Sequence, residues 1–302
     1  MRLRWLWGLV FVLAAGPAVG AQEEPQITLP LSDLFAYDLS LPLDTQVTSD
    51  SVGPPARWHV VYTSTHDKRV PALLTLPPGS GPFPAVIVVA GLGGDKRTDY
   101  VMATADRLAA IGIATLAVDS EYHGERRLPR RSRSMSFPTS YLNRDATIQT
   151  VIDLRRGIDY LETRSDIDAS RVGFIGFSQG AMLGTPFCGM EKRVKAVCLV
   201  VGGGDFINIL PALKDNPLAA RLSKIMDPVH FVGMIAPRPL LMLNAKKDEL
   251  VPRAATDALY NAAREPKEII WYDAGHVISQ DPNRDPFDDM VAFMKKHLSA
   301  GK

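Results

Sequence analysis

Gly176-Phe177-Ser178-Gln179-Gly180 lies between a strand pattern and a helix start. Arg171-Val172-Gly173-Phe174-Ile175 precedes it, a short run with β-branched and aromatic residues, and Ala181-Met182-Leu183 follows. A G-x-S-x-G match in a strand–turn–helix setting is a nucleophile elbow. The serine occupies a strained turn, and the incoming strand and outgoing helix come so close that positions 176 and 180 have little room for a Cβ.

Working outward, strands and helices alternate. Trp58–Thr63 and Val70–Leu76 read as two antiparallel strands joined by the polar turn 64–68. Ala85–Val89 is a continuous apolar run, as expected of a strand buried on both faces. A helix over 98–111 leads to the strand Ala114–Val118, and 143–163 places Ile148, Val151, Ile152, Leu154, Ile158 and Leu161 at helical spacing. Beyond the elbow come strands at Val194–Val201, Pro239–Leu243 and Glu268–Trp271, with helices over 253–264 and 287–298. The alternation argues an α/β fold with a mainly parallel central sheet and helices on both faces. Such sheets bind ligands beyond the carboxyl ends of their strands.

The chain has 302 residues, 46% of them hydrophobic, enough for a large core, and its formal net charge of +1 makes no electrostatic case for nucleic acid. Residues 1–20 form a separate unit: Arg2 and Arg4, the apolar run Trp5–Ala15, then Ala18-Val19-Gly20. That is the layout of a secretory signal peptide, with cleavage near Gly20 or Ala21. The apolar run is short of the roughly 20 residues a membrane span needs, so stable membrane insertion is not expected. Cleavage would leave a chain near −1, periplasmic or secreted. Residues 21–56, with Pro25, Pro30, Pro42, Pro54 and Pro55, read as an extended N-terminal arm carrying one short helix near Leu31–Tyr37, and residues 57–302 as one catalytic-type domain. Cys188 and Cys198 sit in a helix end and an apolar strand, which favours two buried free thiols.

Serine needs a base, and the base needs an orienting group. Leu240–Leu243 is followed by a loop that carries Asp248, and Ile269–Trp271 by one that carries His276. Ser178, Asp248 and His276 thus follow strands in the order Ser…Asp…His. On Gly176–Gly180, on Ile235-Ala236-Pro237-Arg238-Pro239 leading to Asp248, and on Ala274-Gly275-His276, the chain resembles an α/β-hydrolase of the dienelactone hydrolase and acetyl esterase-like group, over residues 57–298. Dienelactone hydrolases proper use a cysteine nucleophile. Serine at position 178 departs from that and favours ordinary carboxylic esters.

The resemblance implies two backbone oxyanion donors, Gln179 and a residue of Ala90-Gly91-Leu92-Gly93-Gly94, where many relatives carry His-Gly. Leu92 is the expected donor, with Gly91 the alternative. Some relatives place the acid where Asp205 stands. His123 either lines the pocket or is a hydrogen-bonded structural histidine. The arginines 126, 127, 130, 131 and 133 either meet a substrate carboxylate or belong to a solvated loop. Residues 203–235, with Phe206, Ile207, Ile209, Leu210, Leu213, Leu218, Leu222 and Ile225, read as a small helical cap over the site or as plain core packing. No metal-ligand spacing, G-x-G-x-x-G or Walker loop is present, so no cofactor is implied. The expected activity is a serine carboxylesterase acting on short-chain, small-molecule esters. A serine peptidase or amidase of the prolyl-oligopeptidase type is the second reading; such enzymes usually carry a further domain. A dehalogenase would need aspartate at position 178.

Overall fold

A computed structural model describes residues 30–128, 140–209, 213 and 215–299. Residues 1–20, where a signal peptide is expected, the first part of the arm, and Arg130, Arg131, Arg133 and Leu210 lie outside them. The chain forms a nine-stranded sheet in the order β1-β2-β3-β5-β4-β6-β7-β8-β9. The strands are β1 (Gln46–Ser51), β2 (Ala56–Thr63), β3 (Arg69–Leu76), β4 (Phe83–Val89), β5 (Ala114–Val118), β6 (Ile167–Phe177), β7 (Val194–Val200), β8 (Leu240–Ala245) and β9 (Lys267–Tyr272). Antiparallel pairing holds β1–β2–β3–β5, and every pair from β5–β4 through β9 is parallel.

The helices are α1 (Asp99–Ala110), α2 (Tyr141–Glu162), α3 (Gln179–Met190), α4 (Phe206–Ile209), α5 (Pro217–Met226), α6 (Val229–Val232), α7 (Arg253–Ala262) and α8 (Pro286–Leu298). Alternation along β4 explains the two-sided burial. Ala85, Ile87 and Val89 face a core shared with α2, α3 and α7, while Val86 and Val88 face one shared with α1 and α8. Both cysteines are buried and free, and burial pushes their thiols well above the usual range.

The arm is not simply extended. Leu31–Phe35 is a 3-10 turn, and Gln46–Ser51 pairs with β2 as an edge strand. Gln-Val-Thr-Ser-Asp-Ser shows no apolar alternation because all but its last residue is exposed, so backbone pairing alone defines the strand. Buried Arg156 donates to the carbonyls of Leu41 (2.7 Å) and Pro42 (3.2 Å), which ties the arm to α2. Tyr37 donates to Asp159 at 3.0 Å; burial and that carboxylate push its hydroxyl up to about 12.

The insertion between β7 and β8 folds into α4, α5 and α6. Phe206, Leu213 and Ala219 pack with Val251 and Ala255, beside Met182 of α3. Asp227 fastens it, accepting the amides of Asp205 (2.8 Å), Phe206 (3.1 Å) and Val229 (3.1 Å). Burial leaves the Asp227 carboxyl above the usual range despite those donors.

Candidate active site

β6 ends at Phe177 and α3 begins at Gln179, so the single residue between them must reverse the chain. Ser178 does so at φ +50°, ψ −113°, a strained conformation for any residue with a Cβ. The strain is held from both sides: the Ser178 amide donates to Val200 O at 2.7 Å, and Ser178 O accepts the amide of Ala181 at 2.9 Å. A Cβ on Gly176 would lie 2.5 Å from Gly180 O, and one on Gly180 would fall onto the carbonyls of Val89 and Ala90. The two motif glycines are therefore required by backbone approach on both sides of the serine.

The expected triad residues come together. His276 Nε2 is 3.0 Å from Ser178 Oγ, and Nδ1 is 2.9 Å from both carboxylate oxygens of Asp248. Asp248 Oδ1 also accepts the amides of Leu250 (2.9 Å) and Val251 (2.8 Å). Burial raises the Asp248 carboxyl, but the His276 contact and those two amides outweigh it and hold the group below the usual carboxylate range. An ionised acid there favours the Nδ1–H tautomer, leaving Nε2 as an acceptor for the serine proton.

The acid and base loops are continuous with the sheet. The β8–β9 pairing runs to Ala245–Tyr272 and continues as Lys246 N to Tyr272 O (2.9 Å) and Lys247 N to Ala274 O (3.1 Å). Glu249 completes the sequence by accepting the His276 amide at 3.1 Å. Asp205 stands elsewhere, at φ +58°, accepting from Asn208 Nδ2 at 2.6 Å. Among the described residues, Asp248 is the carboxylate within hydrogen-bond reach of the His276 ring, and Asp205 is not.

The loop after β4 carries the expected oxyanion donor opposite Gln179. The Gly91 amide is committed to Tyr100 Oη at 2.9 Å, whereas the Leu92 amide has no acceptor among the described residues. Gly91 lines the pocket. Sequence reasoning missed what fixes this loop: Asp119, at the end of β5, accepts Lys96 N (2.9 Å), Lys96 Nζ (2.6 Å) and Glu125 N (3.0 Å). A strand-end carboxylate facing a lysine of the neighbouring loop was the available signal.

A pocket of about 450 Å³ opens beside the triad, walled by Tyr100, Phe177, Met182, Val200, Val201, Val251, Ile278, Pro286, Phe287 and Met290. Among the described residues, its lining contains no Asp, Glu, Lys or Arg. Leu92, Leu250 and Val277, respectively 50%, 64% and 53% exposed, place apolar surface on the rim, where a solvated protein surface would favour polar groups. Val201 adds a second strained position, a β-branched residue at φ +46°.

Three expectations about the surroundings change. No described residue of 203–235 lines the pocket, whose wall comes instead from the β9–α8 connection and the start of α8. His123 is not a pocket residue; it is buried, and its ring Nδ1 pairs with Glu121 O at 3.0 Å. Arg126 belongs to no open basic loop: its side chain is buried and ion-paired with Glu121 and with Asp153 (2.7 Å), two buried carboxylates that also take Lys68 (2.9 Å) and Gln149 (2.7 Å). Among the described residues, no group of three His, Cys, Asp or Glu side chains is placed to hold a metal, and no helix is long and apolar enough to cross a membrane.

The family model described as dienelactone hydrolase family matches residues 70–297. The rat mitochondrial acyl-coenzyme A thioesterase 2 (Rattus norvegicus) is 25% identical over 240 residues, 70% of this chain but only 49% of that one, so the chain spans about half that relative's length. The Bacillus subtilis protein YtaP is 27% identical over 213 residues, covering 64% of this chain and 70% of the other. Among solved structures, an acetyl xylan esterase from Paenibacillus sp. R4 superposes with a TM-score of 0.69 at 23% identity, covering 89% of this chain and 91% of that one. Acetyl xylan esterase 1 from Thermoanaerobacterium gives 0.71 at 18% identity, with 89% and 92% covered. At those identities the likeness is one of fold.

Proposed function

This chain belongs to the dienelactone hydrolase family and is a hydrolase, and we propose that it is a serine carboxylesterase cleaving short-chain carboxylic esters through an acyl-enzyme on Ser178. The observation that carries this reading is the contact series Ser178 Oγ, His276 Nε2, His276 Nδ1 and Asp248, at 3.0 and 2.9 Å, on a strained elbow. Ser178 Oγ attacks the ester carbonyl carbon as its proton passes to His276 Nε2, and Asp248 steadies the resulting imidazolium. The carbonyl oxygen, now an oxyanion, takes hydrogen bonds from the Leu92 and Gln179 amides. His276 gives the proton to the leaving alcohol oxygen, the acyl group stays on Ser178, and water repeats the sequence to release the acid.

An uncharged, apolar wall suits neutral esters. A pocket of about 450 Å³ is finite, so an acyl chain that outgrows it must stay in water. Each fitting methylene adds up to about 0.8 kcal/mol, so kcat/KM should be highest from acetyl to butyryl and fall beyond about six carbons. We further propose that residues 1–20 are removed on export; N-terminal sequencing of the exported protein should begin near Ala21.

The test is a hydrolysis panel of p-nitrophenyl esters from acetyl to dodecanoyl, acetylated xylan and aminoacyl anilides, with a fluorophosphonate label. The wild type should turn over short esters and be labelled once, at Ser178, and Ser178→Ala should fold but lose several orders of magnitude of activity. Labelling elsewhere, an active Ser178→Ala, or strong anilide turnover with weak ester turnover would overturn it.

A further inference from the structure

Tyr100 stands in the first turn of α1 and lines the pocket, its ring packed on Phe177 at 4.8 Å between centroids, one residue before the serine. Its hydroxyl oxygen accepts the Gly91 amide at 2.9 Å. A hydroxyl carries one proton and two lone pairs, so that contact uses a lone pair and leaves the proton to be donated. No described residue accepts it. The place is also close to the reaction: a Cβ built on Gly91 would touch Ser178 Cβ at 3.3 Å and Tyr100 Oη at 3.4 Å, so the hydroxyl and the serine side chain both lie against the side of Gly91 where a Cβ would stand. Gly91 is pinned at its carbonyl too, which accepts the Gly94 amide at 3.0 Å.

Resting on the esterase reading above, we propose that Tyr100 is a further catalytic residue, whose hydroxyl donates a third hydrogen bond to the substrate oxyanion beside the Leu92 and Gln179 amides. Among the described residues the pocket offers the proton few competing acceptors, since its wall is otherwise apolar and its other polar side chains are Ser178, Gln179, His276 and the exposed Ser279. A donor already aimed by the Gly91 amide needs no reorganisation when charge develops. Burial, only partly offset by the Gly91 amide, raises the Tyr100 hydroxyl above its ordinary value, so the group keeps its proton at neutral pH. The same arrangement accounts for an aromatic ring at this point of α1: only a side chain that long reaches back across the turn to the oxyanion loop.

The experiment uses Tyr100→Phe and Tyr100→3-fluorotyrosine in the full enzyme, with a short-chain p-nitrophenyl ester as substrate and a matching trifluoromethyl ketone as probe. The ketone adds to Ser178 Oγ and forms a tetrahedral oxyanion, a stable mimic of the reacting state. Tyr100→Phe keeps the ring on Phe177, and should lower kcat by about 10²-fold with KM little changed. Ketone affinity should fall by the same factor, and binding of the product alcohol should not. Fluorine makes the phenol a stronger donor and a weaker acceptor. At a pH where it stays protonated, the fluorinated enzyme should therefore bind the ketone more tightly. Weaker ketone binding by the fluorinated enzyme would assign Tyr100 only the support of Gly91 and overturn the proposal, as would a Tyr100→Phe enzyme with wild-type kcat and ketone affinity. If Tyr100→Phe fails to fold, the fluorinated enzyme carries the test. A wild type that neither hydrolyses the ester nor binds the ketone refutes the esterase reading itself, an outcome separate from either result at position 100.

Discussion

Replacing Asp248 with asparagine should disable the enzyme by turning His276 over to the wrong tautomer. Asp248 Oδ1 is held by the amides of Leu250 and Val251 at 2.9 and 2.8 Å, and both oxygens reach His276 Nδ1 at 2.9 Å. An asparagine must put its oxygen where the two amides donate, and the NH₂ that takes the place of Oδ2 then stands 2.9 Å from Nδ1 and competes with that oxygen for it. Wherever the NH₂ donates, Nδ1 accepts, the ring proton sits on Nε2, and Nε2 can no longer take the proton of Ser178 Oγ. The productive orientation sets the NH₂ against two N–H groups and leaves both without an acceptor, at about 1–3 kcal/mol each. A penalty of about 2–6 kcal/mol corresponds to a loss of about 30-fold to a few times 10⁴-fold. Losing the charge that stabilises the imidazolium pushes the result to the upper end, about 10³–10⁴-fold in kcat. Steady-state hydrolysis of p-nitrophenyl acetate measures it, with circular dichroism to check the fold. Asp205→Asn is the control and should remain within a few-fold of wild type, because Asp205 contacts Asn208 and not the imidazole. An Asp248→Asn enzyme with more than a tenth of wild-type activity, or equal losses at 248 and 205, would refute the reasoning.

Gly180→Ala should cost at least about 3 kcal/mol, since the new Cβ meets two backbone carbonyls that cannot swing away. At roughly 2–4 °C per kcal/mol, thermal unfolding should show Tm lower by about 6–12 °C; an unchanged Tm would mean the elbow has slack. Glu249→Gln keeps an acceptor for the His276 amide and should retain near wild-type kcat, while Glu249→Ala should lose several-fold, and the reverse order would show that charge rather than the hydrogen bond matters. Because the folded Asp248 carboxyl lies below its ordinary value of about 3.9, its stabilisation is complete above that value and lost as pH falls through the lowered one. The stability gap between wild type and Asp248→Asn, measured by urea unfolding, should therefore be flat above about pH 5 and shrink below about pH 4; a gap widening in acid would contradict the assigned direction.

The strands beside the elbow were legible because they are buried on both faces and so written in unbroken apolar letters. Ala85–Val89 and Val194–Val201 are examples, and the observed β4 and β7 differ from them by two residues or fewer at either end. Ser178, Asp248 and His276, which the structure brings within hydrogen-bond reach of one another, were legible from the order of strands, since each lies within a few residues of a strand's end. Gln46–Ser51 was illegible for the opposite reason: an edge strand wet on both faces needs no apolar period, and its definition lies in the partner's backbone. The pocket wall was hidden more deeply. Phe206, Ile207 and Leu213 are as apolar as Ile278, Phe287 and Met290, and composition cannot say which group faces the serine and which packs on α7.

What separates those two groups is where the sheet ends. The insertion leaves the sheet after β7 and is drawn down by Asp227 onto Val251 and Ala255, so its apolar side is used up before it reaches the site. The chain after β9 is anchored differently: Asp281 accepts the amides of Asp273 (2.6 Å) and Asn283 (2.8 Å), which folds the connection back on itself rather than onto α7. His276 is fixed by hydrogen bonds that prolong the β8–β9 ladder, and the next residues, Val277 and Ile278, turn directly over the serine. Arg284 then pairs with Asp289, and Arg107 with Asp285 (2.7 Å) and Asp288 (2.8 Å), which sets the start of α8 against the pocket. The same ladder that aims the base therefore also delivers the wall. A substitution that slips β9 against β8 would disturb base geometry and pocket shape together, whereas one that loosens α4–α6 should affect stability first and chemistry little.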